Sequence, residues 1–192
     1  MTFESSEIEQ LIIRAQQGDD EAITRLYETH APAIYRYVLY RVPDDEAEDL
    51  TAEVFVKMME ALPRYEVTGA PFEVWLYRIA AARIADYYRQ RKRQPQAVLS
   101  ETLSTDDPQP EEHLLAKQEI RRLRDALTHL TDEQQTVLVL RFIERKTHEE
   151  VAAVIGKSVT AVKSIQHRAL SRLSTLLGSD GKARHYLRGE NE

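Results

Sequence analysis

Thr147-His-Glu-Glu150-Val-Ala152-Ala-Val-Ile-Gly156-Lys-Ser158-Val-Thr-Ala-Val162-Lys-Ser-Ile-Gln-His-Arg168 decides the fold of this chain. Val151, Ala152 and Ile155 recur at helical spacing, and Thr147 with Glu150 forms a capping box at the start of that helix. Gly156 stands where the chain must reverse, in a position that favours a left-handed residue. Ser158 can cap a second helix with a buried stripe of Val162, Ile165 or Gln166, Ala169 and Leu173. The pattern predicts a helix-turn-helix, whose second helix lies in the major groove of duplex DNA. Ser158 would stand at the start of its outward face, followed by Thr160, Ala161, Lys163, Ser164, His167 and Arg168. Hydroxyl and imidazole groups there can bond base edges or phosphate, and Lys and Arg neutralise the backbone. The plainer alternative is a capped helical hairpin with a solvated basic face.

An earlier run, Pro71-Phe-Glu-Val-Trp75-Leu-Tyr-Arg-Ile-Ala-Ala-Ala-Arg83-Ile-Ala-Asp-Tyr87-Tyr88-Arg89-Gln-Arg91-Lys92-Arg93, reads as one long helix that becomes basic towards its end. Its expected core stripe is Phe72, Trp75, Leu76, Ile79 and the stem of Arg83. Tyr77, Tyr87 and Tyr88 are interleaved with the cations. Flat rings beside phosphate partners are what single-stranded nucleic acid requires. Against this, Trp75 beside Phe72 suits a core position, and helix C-termini favour cations anyway.

Nearly every other segment also reads as helix, so the fold class is all-α. Ile8, Leu11, Ile12 and Ala15 form one stripe ended by Gly18. Asp19 caps the next helix, with Ala22, Ile23, Leu26 and Tyr27 facing inward and a kink or break expected near Ala31 because of Pro32. Ala47, Leu50, Val54, Met58 and Leu62 then step by three and four until Pro63, and Arg64 to Ala70 form a short loop. Residues 94–112 hold three prolines and no Lys or Arg, which predicts an extended, mobile linker whose Val98, Leu99 and Leu103 could dock on a partner. Leu115, Ile120, Leu123, Leu127 and Leu130 mark a further helix, and Thr131 with Gln134 caps one holding Val137, Leu138, Leu140 and Arg141. The organisation is therefore two small helical domains, 1–93 and 113–177, joined by the linker and followed by a frayed tail, 178–192, with Tyr186 and Leu187 as a weak docking point.

Composition limits the function. The 192 residues are 42% hydrophobic and 30% charged, as in a folded protein, with neither a membrane-length apolar run nor a signal-peptide pattern, so a cytoplasmic location is expected. Cysteine is absent and no histidine pair has the spacing of a helical metal site, so neither a metal nor a cofactor is expected. The net charge of -6 opposes unaided coating of DNA, but the charge is segregated. Residues 44–53 hold six acids and no base, whereas 157–173 hold four bases and no acid. That polarity suits an acidic face for a protein partner and basic faces for nucleic acid. The acids suggest no catalytic pair, since solvated helix carboxylates lack the pocket and shifted pKa that catalysis needs; an enzyme acting on a small-molecule substrate is not expected.

Ala47-Glu-Asp-Leu-Thr-Ala-Glu-Val-Phe55, Ala61-Leu-Pro-Arg-Tyr65, Pro71-Phe-Glu-Val-Trp-Leu-Tyr-Arg-Ile-Ala80, Leu130-Thr-Asp-Glu-Gln-Gln135 and Ala161-Val-Lys-Ser164, in that order and spacing, resemble the bacterial sigma factors of the extracytoplasmic-function (ECF) group, the short members of the sigma-70 family. The resemblance spans about residues 7–177. It implies that the first domain, sigma region 2, binds core RNA polymerase through Asp45, Glu48, Asp49 and Glu53, with Leu50 and Phe55 supporting the helix or joining the contact. It also implies that Arg64, Tyr65, Arg83, Tyr87, Tyr88, Arg89, Arg91, Lys92 and Arg93 recognise and open the -10 promoter element, one base being held out of the stack. The second domain, sigma region 4, would read the -35 element as duplex. An anti-sigma protein, in relatives often membrane-attached, is a further implied partner. The chain departs from the family pattern at Ala82, where Asn is usual, at Ile165-Gln166, where Arg-Leu is usual, and at Leu170, where many relatives carry Arg. The alternative function is a stand-alone helix-turn-helix regulator, which would need a dimer seam or a sensing domain that the sequence does not display.

Overall fold

The computed structural model describes residues 5–67, 69–93 and 111–178, and among them no strand occurs. The linker residues 94–110, with the docking patch Val98, Leu99 and Leu103, and the tail with Tyr186 and Leu187 lie outside the described residues, as does the side chain of Leu115.

Four helices build the first group: α1 (Ser5–Gln16), α2 (Asp20–Leu39), α3 (Asp44–Ala61) and α4 (Phe72–Arg93), with a 3-10 turn at Leu62–Arg64. Gly18 ends α1 at φ 86°, and the Asp19 side chain accepts from the Ala22 amide at 3.1 Å to start α2. The core is filled by Ile12, Leu26, Ile34, Val54, Met58, Leu76 and Ile84, all but closed to solvent. Burial at these helical spacings supplies most of the stability of such a bundle.

Several expectations change here. α2 runs unbroken through Pro32. Leu26, His30, Ile34, Tyr37 and Val38 are buried along one stripe that spans the proline, so packing on both sides outweighs the one lost backbone bond, and Pro32 itself sits exposed. Tyr27 is 48% exposed rather than inward, where it meets the edge of Phe55 at 4.7 Å. Tyr77 is buried against Tyr37, 5.2 Å between ring centres, and is unavailable to bases. In α4, Val74, Ala80 and Ile84 join the buried set, whereas Trp75 and Ile79 are half-buried.

The second group comprises α5 (Glu111–Thr128), α6 (Asp132–Leu138), α7 (His148–Ile155) and α8 (Val159–Leu177). α5 begins at Glu111, so the last two residues of the expected linker are helical, and Ile120 is 42% exposed rather than part of the core. α6 continues into a π-helical turn, Val139–Ile143, which the apolar pattern does not announce. Arg145 then adopts φ 54°, a left-handed conformation that is rare for a side-chain-bearing residue, and the Lys146 amide donates to the Leu140 carbonyl at 2.8 Å. That sharp closure places Glu144 and Lys146 side by side, facing the first group.

The two groups meet across a charged seam. Arg41, 2% exposed, donates to the Tyr37 hydroxyl at 2.6 Å and the Thr136 hydroxyl at 2.7 Å and pairs with Asp132. The Glu144 side chain, 2% exposed, accepts two bonds from Arg36 at 2.9 Å each and one from the Tyr77 hydroxyl at 3.3 Å. Lys146 pairs with Glu73 at 2.6 Å, and Arg124 pairs with Asp44 while donating to the Val42 carbonyl at 2.8 Å. Arg78 of α4 donates to the Ala153 carbonyl of α7 at 2.9 Å.

His30 of α2 has its ring 5.4 Å from Phe72 and its Nε2 buried without a partner among the described residues. Burial first, and the charge of Lys146 second, push its pKa down to about 4 from 6.5. Between those values the unfolded chain binds a proton that the folded chain refuses, so stability falls as pH drops through that window. Urea unfolding at pH 7 and pH 5 should show the wild type losing roughly 2 kcal/mol more than His30→Leu over that step. Equal losses would remove His30 as the cause.

Candidate nucleic-acid and partner interfaces

The helix pair α7–α8 is assembled by its caps. Thr147 and Glu150 satisfy each other's amides, at 3.1 Å and 2.6 Å. Gly156 takes φ 67°, ψ 34°, and the Lys157 amide closes on the Ala152 carbonyl at 3.1 Å. A side chain at Gly156 would meet no neighbour, so the left-handed φ alone makes glycine the fitting residue. The Ser158 hydroxyl accepts from the Ala161 amide at 3.2 Å, which leaves its own hydrogen free to donate outward. Val162, Ile165, Ala169 and Leu173 form the buried stripe, so Ile165 takes the core position and Gln166 does not. Gln166 instead bonds His148 at 3.0 Å, tying the start of α7 to the middle of α8.

The resulting outer face is cationic. Ser158, Thr160, Lys163, Ser164, His167 and Arg168 are exposed, and Ala161 is half-buried at the edge. Among the described residues neither Lys163 nor Arg168 forms an ion pair, whereas Lys157 is engaged by Glu133 at 3.0 Å. Two unneutralised cations flank hydroxyls on one face of a helix, as phosphate contact and groove reading require.

At the other end of the chain's basic surface, Arg89, Lys92 and Arg93 are exposed and Arg91 is half-buried over the Tyr87 ring, 5.5 Å from its centre. Tyr87 and Tyr88 stand edge to face at 5.2 Å, and the Tyr88 hydroxyl donates to the Arg41 carbonyl at 2.6 Å. Burial raises the pKa of both phenols, so both remain neutral donors near pH 7. Tyr65 is half-buried within an aromatic cluster, 4.5 Å from Trp75 and 5.2 Å from Phe72. Gln16 fixes this loop by donating to the Leu62 and Tyr65 carbonyls at 3.0 Å and 2.7 Å. A groove of about 460 Å³ between α3 and α4 is lined by Ile79, Ala61 and Ala82, by the cations Lys57, Arg64 and Arg83 and by the acids Glu60 and Asp86.

On α3, Asp45, Glu48, Asp49 and Glu53 are exposed. Leu50 and Phe55 are 5% and 4% exposed, so they back this face from the core and do not form it. The continuation of the stripe is not among the residues singled out from sequence: Ala52, Val56 and Met59 follow Asp45 and Asp49 at steps of three and four, and Val56 and Met59 are 46% and 45% exposed. Exposed aliphatic residues on an otherwise amphipathic helix are the available signal. The face is acidic at its start and apolar at its end. Three acids in the first turn, Asp44, Asp45 and Glu46, also suit the helix dipole.

Comparison with known proteins places these features in a family. Sigma-70 region 2 matches residues 26–94, and Sigma-70, region 4 matches residues 126–175. The chain is 38% identical over 184 residues to the ECF RNA polymerase sigma factor ShbA of Streptomyces griseus, covering 90% of this chain and 96% of that protein. It is 35% identical over 181 residues to the ECF RNA polymerase sigma factor SigD of Mycobacterium tuberculosis, covering 90% and 85%. Among solved structures, CnrH in complex with the cytosolic domain of CnrY is similar at a TM-score of 0.68 and 28% identity, over 88% of this chain and 96% of that one; CnrH is a sigma factor of Cupriavidus metallidurans.

Proposed function

The chain belongs to the ECF group of sigma-70 RNA polymerase sigma factors, and from that membership we propose how its surfaces divide the work. As a sigma factor it serves promoter recognition and transcription initiation. The stand-alone regulator is not favoured, because region 2 and region 4 are matched together in one chain.

Asp45, Glu48 and Asp49 with the exposed Val56 and Met59 form the polymerase-binding face of α3, and Glu53 lies at its edge. A basic amphipathic helix fits that order of acids and aliphatics. Arg64 and the basic end of α4, Arg83 to Arg93, track the separated strand at the -10 element, with Tyr87 and Tyr88 offering rings at the same place. Tyr65 shapes the loop rather than presenting a free face, because Trp75 already covers it. The groove by Arg64 and Arg83 is of a size to receive an unstacked base, whose capture offsets the few kcal/mol of unstacking. The exposed face of α8, from Ser158 to Arg168, reads the -35 duplex.

The single observation that carries this reading is the cationic face of α8, whose Lys163 and Arg168 form no ion pair among the described residues, in a chain that sets six acids and no base at residues 44–53. Such a chain has low affinity for DNA alone and gains it when polymerase supplies basic surface and fixes both domains on one promoter. A cytoplasmic location follows from those partners; among the described residues no helix is long and apolar enough to cross a membrane. CnrH was solved with the cytosolic domain of CnrY, and a protein partner, which the family resemblance gives as an anti-sigma protein, is proposed here too. No catalytic role, small-molecule substrate or cofactor is proposed. Run-off transcription on sheared genomic DNA tests the function. Core polymerase with the chain should give discrete products that core alone does not, and identical product patterns would overturn it.

A further inference from the structure

Arg83 stands between the two surfaces just described. It projects from α4 towards α3, its Nε 3.3 Å from a Glu53 carboxylate oxygen and its Nη1 3.4 Å from Asp86. Asp86 in turn holds Arg89 at 2.8 Å, and on the α3 wall of the groove Lys57 is held by Glu60 at 2.7 Å. Arg83 and Arg89, assigned to the separated strand, and Lys57 of the groove lining are thus already engaged by carboxylates of the chain itself. The Arg83 side chain is 22% exposed and that of Glu53 55%, so the pair is partly shielded yet can part without unfolding anything. One carboxylate, Glu53, therefore lies on the acidic face of α3 and at the same time pairs with a cation that lines the groove.

We propose that the Glu53–Arg83 ion pair couples polymerase binding to strand binding. In the free chain Glu53 neutralises Arg83 and lowers the affinity of the groove for phosphate. When a basic partner helix takes Glu53, Arg83 turns to the strand. Linkage makes the effect mutual: a bound strand that takes Arg83 frees Glu53 for the polymerase. A partly exposed pair of this kind sets the scale at about two- to fivefold in either affinity. The inference rests on the assignment of α3 to polymerase and α4 to the strand.

The test uses the full chain and fluorescein-labelled oligo(dT), titrated at low salt without polymerase. Glu53→Gln should tighten oligo(dT) binding about two- to fivefold beyond Glu48→Gln, which removes the same charge from a carboxylate that pairs with no cation among the described residues. The excess should vanish in an Arg83→Gln background. Arg83→Gln alone should weaken oligo(dT) binding and tighten core polymerase binding by a similar factor, which a merely structural arginine would not do. If Glu53→Gln and Glu48→Gln behave alike while Arg83→Gln still weakens oligo(dT), the coupling is wrong and the strand assignment stands. If Arg83→Gln leaves oligo(dT) unaffected, the strand assignment fails and the coupling with it.

Discussion

Asp49→Lys is expected to weaken binding of the full chain to core polymerase about 30-fold, roughly 2 kcal/mol, with little change in its thermal unfolding. Asp49 is exposed in the middle of α3 and bonds to no cation among the described residues, so the chain loses no internal partner when its charge is reversed. It also lies beyond the first turn, where the helix dipole would have favoured an acid. The cost therefore falls on the complex: an attraction to a basic surface becomes a repulsion. Polymerase affinity unchanged within twofold, measured by competition against a labelled wild-type chain, would remove α3's acids from the interface. Val56→Asp checks the apolar end of the same stripe, and a weakening there would show that the face extends beyond the acids.

The second large effect is expected on α8. With polymerase bound and a template chosen by start-site mapping, the pair Lys163→Ala and Arg168→Ala should weaken upstream duplex binding by about 30-fold. Each lost phosphate contact should reduce the slope of log affinity against log salt by about 0.9. Both residues are exposed and unpaired among the described residues, so neither change should disturb the buried stripe Val162, Ile165, Ala169 and Leu173. A salt slope equal to wild type would mean that these cations meet no phosphate. Gln166→Ala is a useful contrast: it releases His148 and should alter sequence preference more than salt dependence, because it changes how α8 is held rather than its charge.

Much of this is legible in the sequence because the decisive signals are local. Caps at Asp19, Thr131, Thr147 and Ser158, the left-handed Gly156 and the three-four stripe of α3 each depend on residues within two turns of one another. The exposed face of α8 follows from helical spacing, and its one ambiguity, Ile165 or Gln166, is resolved by packing alone. What is not legible depends on distant partners. Tyr77 reads as one of the rings interleaved with the cations of α4, but Tyr37 and Glu144, far away along the chain, bury it. Pro32 reads as a break because its own bond is lost, but buried neighbours on both sides carry the helix through. The same reason hides the seam between the two helical groups. Arg36, Arg41, Glu144 and Lys146 carry no local pattern, and the π-helical turn and left-handed Arg145 that aim two of them have no short-range signature.

That seam bears on the mechanism. Four of its ties are ion pairs, two of them between an exposed and a buried side chain: Arg36 at 49% with Glu144 at 2%, and Asp132 at 61% with Arg41 at 1%. The exposed members weaken their hold as salt rises, and the buried members, Glu144 and Arg41, need water or a charged partner once the seam opens. Docked domains in the free chain and separated contacts on a promoter are thus compatible with one sequence.

The central claim is that one chain, aligned by polymerase, grips a separated strand with α4 and intact duplex with α8. Permanganate footprinting of unpaired thymines on a mapped promoter tests it most directly. Core polymerase with the wild-type chain should give reactive thymines confined to the -10 element, the chain alone and core alone should give none, and Arg83→Gln with Arg89→Gln should reduce the signal while the upstream duplex stays protected. Reactive thymines that arise without the chain, or that persist undiminished in the double variant, would contradict the account.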